Sequence, residues 1–139
     1  MTSTAATAAP VVTCAPMRAE TRAAAEALLD EFLSGDAHYR ASSAVYGDGG
    51  PAALARALDL FLARPELGFV WLAFAERDGA RILVGACVVC RAISTSRGAI
   101  VAKLDDVTIV NGWQGCGVGT ALLGALCEAL RADGISRID

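Results

Sequence analysis

The spacing of apolar residues changes period several times along the chain, and each change marks an element. Val11 to Pro16 is a short, mostly apolar run that predicts a first strand. From Ala19 to Ser34 the period is helical: Leu28, Leu29, Phe32 and Leu33 form one stripe, and Gly35 stands at the expected C-cap. Asp36 to Gly50 is polar, rich in Gly and Ser, and predicts a loop holding His38, Tyr39 and Tyr46. Pro51 opens a second helix with Leu54, Leu58, Phe61 and Leu62 on one face, ending before Pro65.

Beyond Pro65 the pattern turns to β. Phe69 to Ala75 is an apolar run, and Arg77-Asp78-Gly79-Ala80 carries the Asp-Gly pair of a tight hairpin. Ile82 to Ile93 is almost continuously apolar, as in a strand buried on both faces. Ser94 to Gly98 predicts a second turn and Ala99 to Val110 the third strand of a meander. A glycine-rich bend, Asn111 to Gly117, then leads into a helix with Leu122, Leu123, Leu126 and Leu130 inward. Gly134 ends that helix, and Ile135 to Asp139 begins another strand. The order β-α-α-β-β-β-α-β predicts an α+β fold of mixed α/β layers. One domain covers residues 11–139, preceded by a flexible leader at 1–10.

Composition narrows the function. With 55% hydrophobic and 19% charged residues in 139, the chain has the material for a packed core. A net charge of −3 without any basic run argues against nucleic acid as partner. No apolar run is long enough to predict a membrane span. The leader has neither a basic start nor an apolar stretch, so it does not read as a secretory signal. Scattered cysteines (Cys14, Cys87, Cys90, Cys116, Cys127) favour reduced thiols and a cytoplasmic setting. Cys87 and Cys90 stand three apart on a strand, on opposite faces and with no second pair, so no metal site is expected. Trp71 and Trp113 read as packing residues.

The segment Leu104 to Thr120 carries the chemistry. A strand enters a bend with Gly115, Gly117 and Gly119 and then a helix. Such glycines let successive backbone N–H groups turn toward one point, where the helix N-terminus adds partial positive charge: a pyrophosphate cradle. Two ligand classes use one. A dinucleotide fold needs G-x-G-x-x-G, and Thr120 stands where the third glycine belongs, although Asp139 is suitably spaced for a ribose-binding acid. A dinucleotide fingerprint also opens its domain, whereas only a helix and a strand fragment follow this bend.

The other match is closer. Gln114-Gly115-Cys116-Gly117-Val118-Gly119 fits the pattern (Arg/Gln)-x-x-Gly-x-(Gly/Ala), and the segment resembles the acetyl-CoA-binding core of the GNAT N-acetyltransferase superfamily. Asp106 precedes Gln114 by eight residues, where members of that family often carry an acid, and the upstream element order is also theirs. The resemblance implies a central, mostly antiparallel sheet flanked by helices, and acetyl transfer from acetyl-CoA to an amine of a small molecule or peptide. It implies pantetheine along Val107, Thr108 and Ile109, and pyrophosphate on the backbone of Gln114, Gly115, Cys116, Gly117, Val118, Gly119 and Thr120. Cys116 then serves through its backbone rather than as a nucleophile, and no metal is required. Asp106 is the expected proton acceptor: an apolar strand raises a carboxylate's pKa toward the working range. As Asp105 and Asp106 are strand neighbours, regular pleating would point them to opposite faces, excluding a paired-carboxylate site. His38 and Tyr39, in the loop after the first helix, are expected at the acceptor. Family members continue with a further helix and two strands, so the chain reads as C-terminally incomplete, with an open sheet edge that invites homodimerisation. Other classes compatible with the cradle are a non-catalytic acyl-CoA-binding or regulatory module and a nucleotide-binding domain.

Overall fold

The computed structural model describes residues 10–35 and 49–139. Strand β1 (Val12–Pro16) leads through a 3-10 turn (Ala19–Thr21) into α1 (Arg22–Gly35), and α2 (Gly50–Ala63) follows. The meander β2 (Gly68–Arg77), β3 (Ala80–Ser94) and β4 (Ala99–Ile109) then leads to α3 (Val118–Ala132). The four strands form one antiparallel sheet in the order β1-β2-β3-β4. This is the layered α+β architecture that the pattern predicts. The β2–β3 turn is made by Asp78 (φ 54°) and Gly79 (φ 77°), both left-handed, the turn type whose twist matches a hairpin. The helix expected from Ala19 starts later, because its first turn is wound as 3-10, where Arg18 N donates to Thr21 Oγ1 at 2.9 Å.

Two cores sandwich the sheet, and strand alternation divides them. Val70, Leu72, Phe74 and Ala86 meet Met17, Ala25 and Leu29 near α1, and Leu58 of α2. On the opposite face, Trp71, Ala73, Ala75, Val84, Cys87, Val89 and Ala102 meet Val118, Leu122, Leu126 and Leu130 of α3. Side chains from both layers thus bury β2 and the middle of β3 almost completely, which is why these runs are apolar without a break. Trp71 does more than pack: its indole N–H donates to Leu122 O at 3.0 Å and ties the sheet to α3. Two expected core positions differ. Leu62 of α2 is 36% exposed, where Leu58 is the buried residue, and Leu123 is 39% exposed because the buried positions of α3 recur every four residues from Val118 and leave it around the side.

Two irregularities shape the end of the sheet that carries the glycine bend. The β2–β3 register slips between Ala73 and Phe74, and the β3–β4 register slips between Ala86 and Val88. In the second, Val88 pairs with Asp105 and Ala86 with Thr108, so Asp106 and Val107 together oppose Cys87. Asp106 takes the left-handed conformation, φ 52°. Regular alternation across Asp105 and Asp106 is therefore broken: the pair sits at a β-bulge, which bends β4 and re-aims the residues beyond it. At the other end of β4, the expected new strand consists of one parallel bridge between Ile138 and Ala102. Ala102 N donates to Arg137 O, Leu104 N to Asp139 O, and Asp139 N to Ala102 O.

Candidate functional site

The bulge decides which backbone groups reach the outer edge of β4. Ala102 and Leu104 turn their N–H groups outward, toward residues 137–139, whereas Val110 N donates inward to Val84 O at 2.9 Å. An extra residue between them switches the parity, so Val107 and Ile109 present their edge outward after the bulge. There the last residues of β4 and the bend line a cleft of about 440 Å³ whose opposite wall is α1. Its lining includes Val107, Thr108, Ile109, Val110, Asn111 and Gln114 on one side, with Leu28, Glu31, Phe32 and Gly35 on the other.

The bend is wound by glycine. Gly112, Gly115 and Gly117 have φ of 90°, 75° and 92°, and a Cβ built on any of them, or on Gly119, meets nothing within 4 Å. Gly117 is the N-cap of α3, with no side-chain hydrogen bond to the cap and no acidic residue in the first turn. Among the described residues, the first turn of α3 thus has no side-chain cap, and a helix N-terminus carries partial positive charge that favours an anion. One backbone and two side-chain hydrogen bonds hold the bend. Trp113 N donates to Val110 O at 3.0 Å, Cys116 Sγ to Trp113 O at 2.8 Å, and Gln114 Nε2 to Ile109 O at 3.3 Å. The Arg77 guanidinium lies 4.4 Å from the Trp113 ring centroid, joining the β2–β3 hairpin to the bend. Sequence reasoning treated Trp113 as packing alone and had no signal for Arg77, since their meeting depends on sheet register.

The bend therefore brings Gln114 to Thr120 together, and the bulge sets Val107 to Ile109 along the cleft beside them. Asp106 is half-buried at the bulge, and Asp105 is exposed. His38 and Tyr39 lie outside the described residues. Among the described residues no group of three or more His, Cys, Asp or Glu is placed to hold a metal, and no helix is long and apolar enough to cross a membrane. Cys87 is fully buried, its thiol pushed up to about 12 by burial first and by neighbouring Cys14 second. Burial raises Cys14 as well, and Cys90 is raised by burial and then by Asp105. Such thiols are poor nucleophiles and poor ligands near neutrality.

A four-strand antiparallel sheet layered with helices, its bulged last strand running into a glycine-wound helix start, defines an α+β domain. The GNAT acetyltransferase family model matches residues 24–139, and the chain belongs to that family. Acyl transfer is the chemistry of the family, with acetyl-CoA as donor. Among solved structures it is similar to an integron cassette protein, HFX_CASS3, from the mobile metagenome of Cole Harbour Salt Marsh. That likeness has a TM-score of 0.69 and 21% identity, covering 90% of this chain and 74% of the other. A predicted acetyltransferase from Clostridium acetobutylicum, with acetyl-CoA, aligns at TM-score 0.60 and 14% identity, over 93% and 79% of the two chains. Glucosamine-6-phosphate N-acetyltransferase from Arabidopsis thaliana aligns at 0.63 and 10%, over 93% and 80%. At these identities the likeness is one of fold. Among curated proteins no sequence matches.

Proposed function

We propose that the chain transfers an acetyl group from acetyl-CoA to an amine, and that the donor lies in the cleft beside β4. One observation carries this reading: the cleft beside Val107 to Ile109 runs on to Asn111 and Gln114, the first part of the glycine-wound bend that leads into α3. An extended amide chain ending in a pyrophosphate fits both, edge amides pairing with the strand and phosphates with the backbone of Gln114 to Thr120. The open space above Gly115, Gly117 and Gly119 leaves room for phosphate oxygens.

The thioester supplies an activated acyl carbon. The amine nitrogen bonds to that carbon, the carbon–sulfur bond breaks with its electron pair leaving on sulfur, and the proton the nitrogen then sheds passes to sulfur to give the CoA thiol. Enclosure beside the strand supplies proximity, and backbone N–H groups offset charge on the carbonyl oxygen. Asp106, at the bulge, is the residue we assign to accept the ammonium proton before attack. Its left-handed backbone is a strained conformation of the kind that collects at functional sites.

The test combines binding with turnover. Acetyl-CoA raises the melting temperature by binding the native state, and a panel of amines, amino acids and peptides releases CoA thiol. A melting shift without thiol release from any amine would leave a binding module, and a larger shift with NAD than with CoA would leave a nucleotide site.

A further inference from the structure

The bend before α3 is braced by a residue of another element, at the end of β2. Trp71, Ala73 and Ala75 face α3, and Arg77 follows them on the same side at the spacing of two that a strand keeps. Its guanidinium lies 4.4 Å from the ring centroid of Trp113. Among the described residues no carboxylate forms an ion pair with Arg77, and the indole face is its partner. Trp113 is in turn the residue about which the bend is wound. Its N–H donates to Val110 O at 3.0 Å, its carbonyl accepts from the Cys116 thiol at 2.8 Å, and its side chain packs against the core on the α3 side. Where the ring is seated therefore decides how the backbone from Gln114 to Gly117 runs.

The hairpin is a firm support for this contact. Its turn is closed by Asp78 and Gly79 in left-handed conformations, and Arg77 pairs with Ala80 directly beneath it. A second arginine on the same hairpin makes a natural control. Arg81 points to the opposite face, where its guanidinium lies 4.0 Å from the ring centroid of Phe74, a member of the core near α1. Both arginines place a positive charge on the hairpin, and Arg77 is the one stacked on the bend. Resting on the transferase reading above, we propose that Arg77 is a positioning residue for the donor. Stacked on Trp113, it holds the bend in the shape that receives the pyrophosphate of acetyl-CoA, and it takes no part in acyl transfer itself.

Calorimetry with acetyl-CoA and steady-state thiol release, both on the full chain, compare Arg77→Met, Arg77→Lys, Arg81→Met, Trp113→Leu and the double variant Arg77→Met with Trp113→Leu. Arg77→Met keeps an unbranched side chain and removes the cation. The expected result is an affinity for acetyl-CoA weakened about threefold in Arg77→Met, with KM raised and kcat unchanged. Arg77→Lys recovers most of the loss, because an ammonium also sits favourably over an indole. Arg81→Met binds as the wild type does, and in the Trp113→Leu background Arg77→Met costs nothing further. Unchanged affinity in Arg77→Met, an equal loss in Arg81→Met, or the same loss with and without Trp113 overturns the proposal. The last two outcomes would make the cation a long-range attraction for phosphate. If Trp113→Leu fails to fold by far-UV circular dichroism, the comparison of Arg77→Met, Arg77→Lys and Arg81→Met decides. Acetyl-CoA binding that ignores Arg77 removes this proposal alone, whereas a wild type that binds no acetyl-CoA removes the transferase reading as well. Dependence on Arg77 without thiol release from any amine keeps Arg77 as a positioning residue for binding and removes the transfer.

Discussion

At the residue scale, Asp106 does two things that one substitution can separate. Its φ of 52° shapes the bulge, and its carboxylate is the proposed proton acceptor. Asn tolerates the left-handed region about as well as Asp, so Asp106→Asn keeps the backbone and removes the charge. The expected outcome is a fall in acetylation rate of about a hundredfold where the amine is protonated, with acetyl-CoA affinity nearly intact. A wild-type rate across that pH range would leave Asp106 with its backbone role alone. Gly117 is the complementary case. At φ 92° any side chain is strained, and a negative one also meets the phosphates, so Gly117→Glu abolishes the thermal shift with acetyl-CoA. An unchanged shift would put the phosphate site elsewhere.

At the scale of elements, the cleft depends on how closely β3, β4 and α3 approach, and Gly85 sets that distance. A Cβ at Gly85 would lie 3.0 Å from Ile109 Cδ1 and 3.3 Å from Leu122 Cδ1. Gly85→Val therefore costs about 1–3 kcal/mol in urea denaturation and displaces Ile109 at the cleft edge, weakening acetyl-CoA binding. Gly124, exposed in the middle of α3 with nothing within 4 Å of its Cβ position, predicts the opposite. Gly124→Ala raises stability by about 0.5–1 kcal/mol and leaves binding unchanged. The contrast tests whether backbone approach, rather than glycine content, shapes this end of the sheet.

At the scale of the whole molecule, the sheet faces carry thiols that the fold keeps protonated. Cys14 and Cys87 have folded pKa values raised above the unfolded value of 9.0, Cys87 to about 12. Their contribution is fully present below pH 9 and is lost as pH climbs toward 12, because the unfolded chain ionises first. Denaturation midpoints should therefore fall through that window. Cys14→Ala and Cys87→Ala should flatten the fall, and a pH-independent midpoint would contradict the burial argument. Assembly is settled by light scattering coupled to size exclusion, where a cooperatively melting monomer would remove the homodimer expectation.

Much of the architecture was legible from local pattern. The helical stripes, the Asp78-Gly79 turn, the unbroken apolar run of β3 and the glycines after β4 depend on neighbours close in sequence. The match of Gln114 to Gly119 with a known pattern pointed to the family for the same reason: a glycine-wound bend is written in consecutive residues. Pairing between strands decided the rest. The slip opposite Cys87 placed the bulge at Asp106, broke the expected alternation with Asp105, and turned the edges of Val107 and Ile109 outward. Register likewise set Arg77 against Trp113, and helix packing set Glu31 across from β4. A hydrophobic pattern reports which side of an element is buried. Which residue of another element stands opposite is determined by register and packing distance, and those exist only once the sheet has formed.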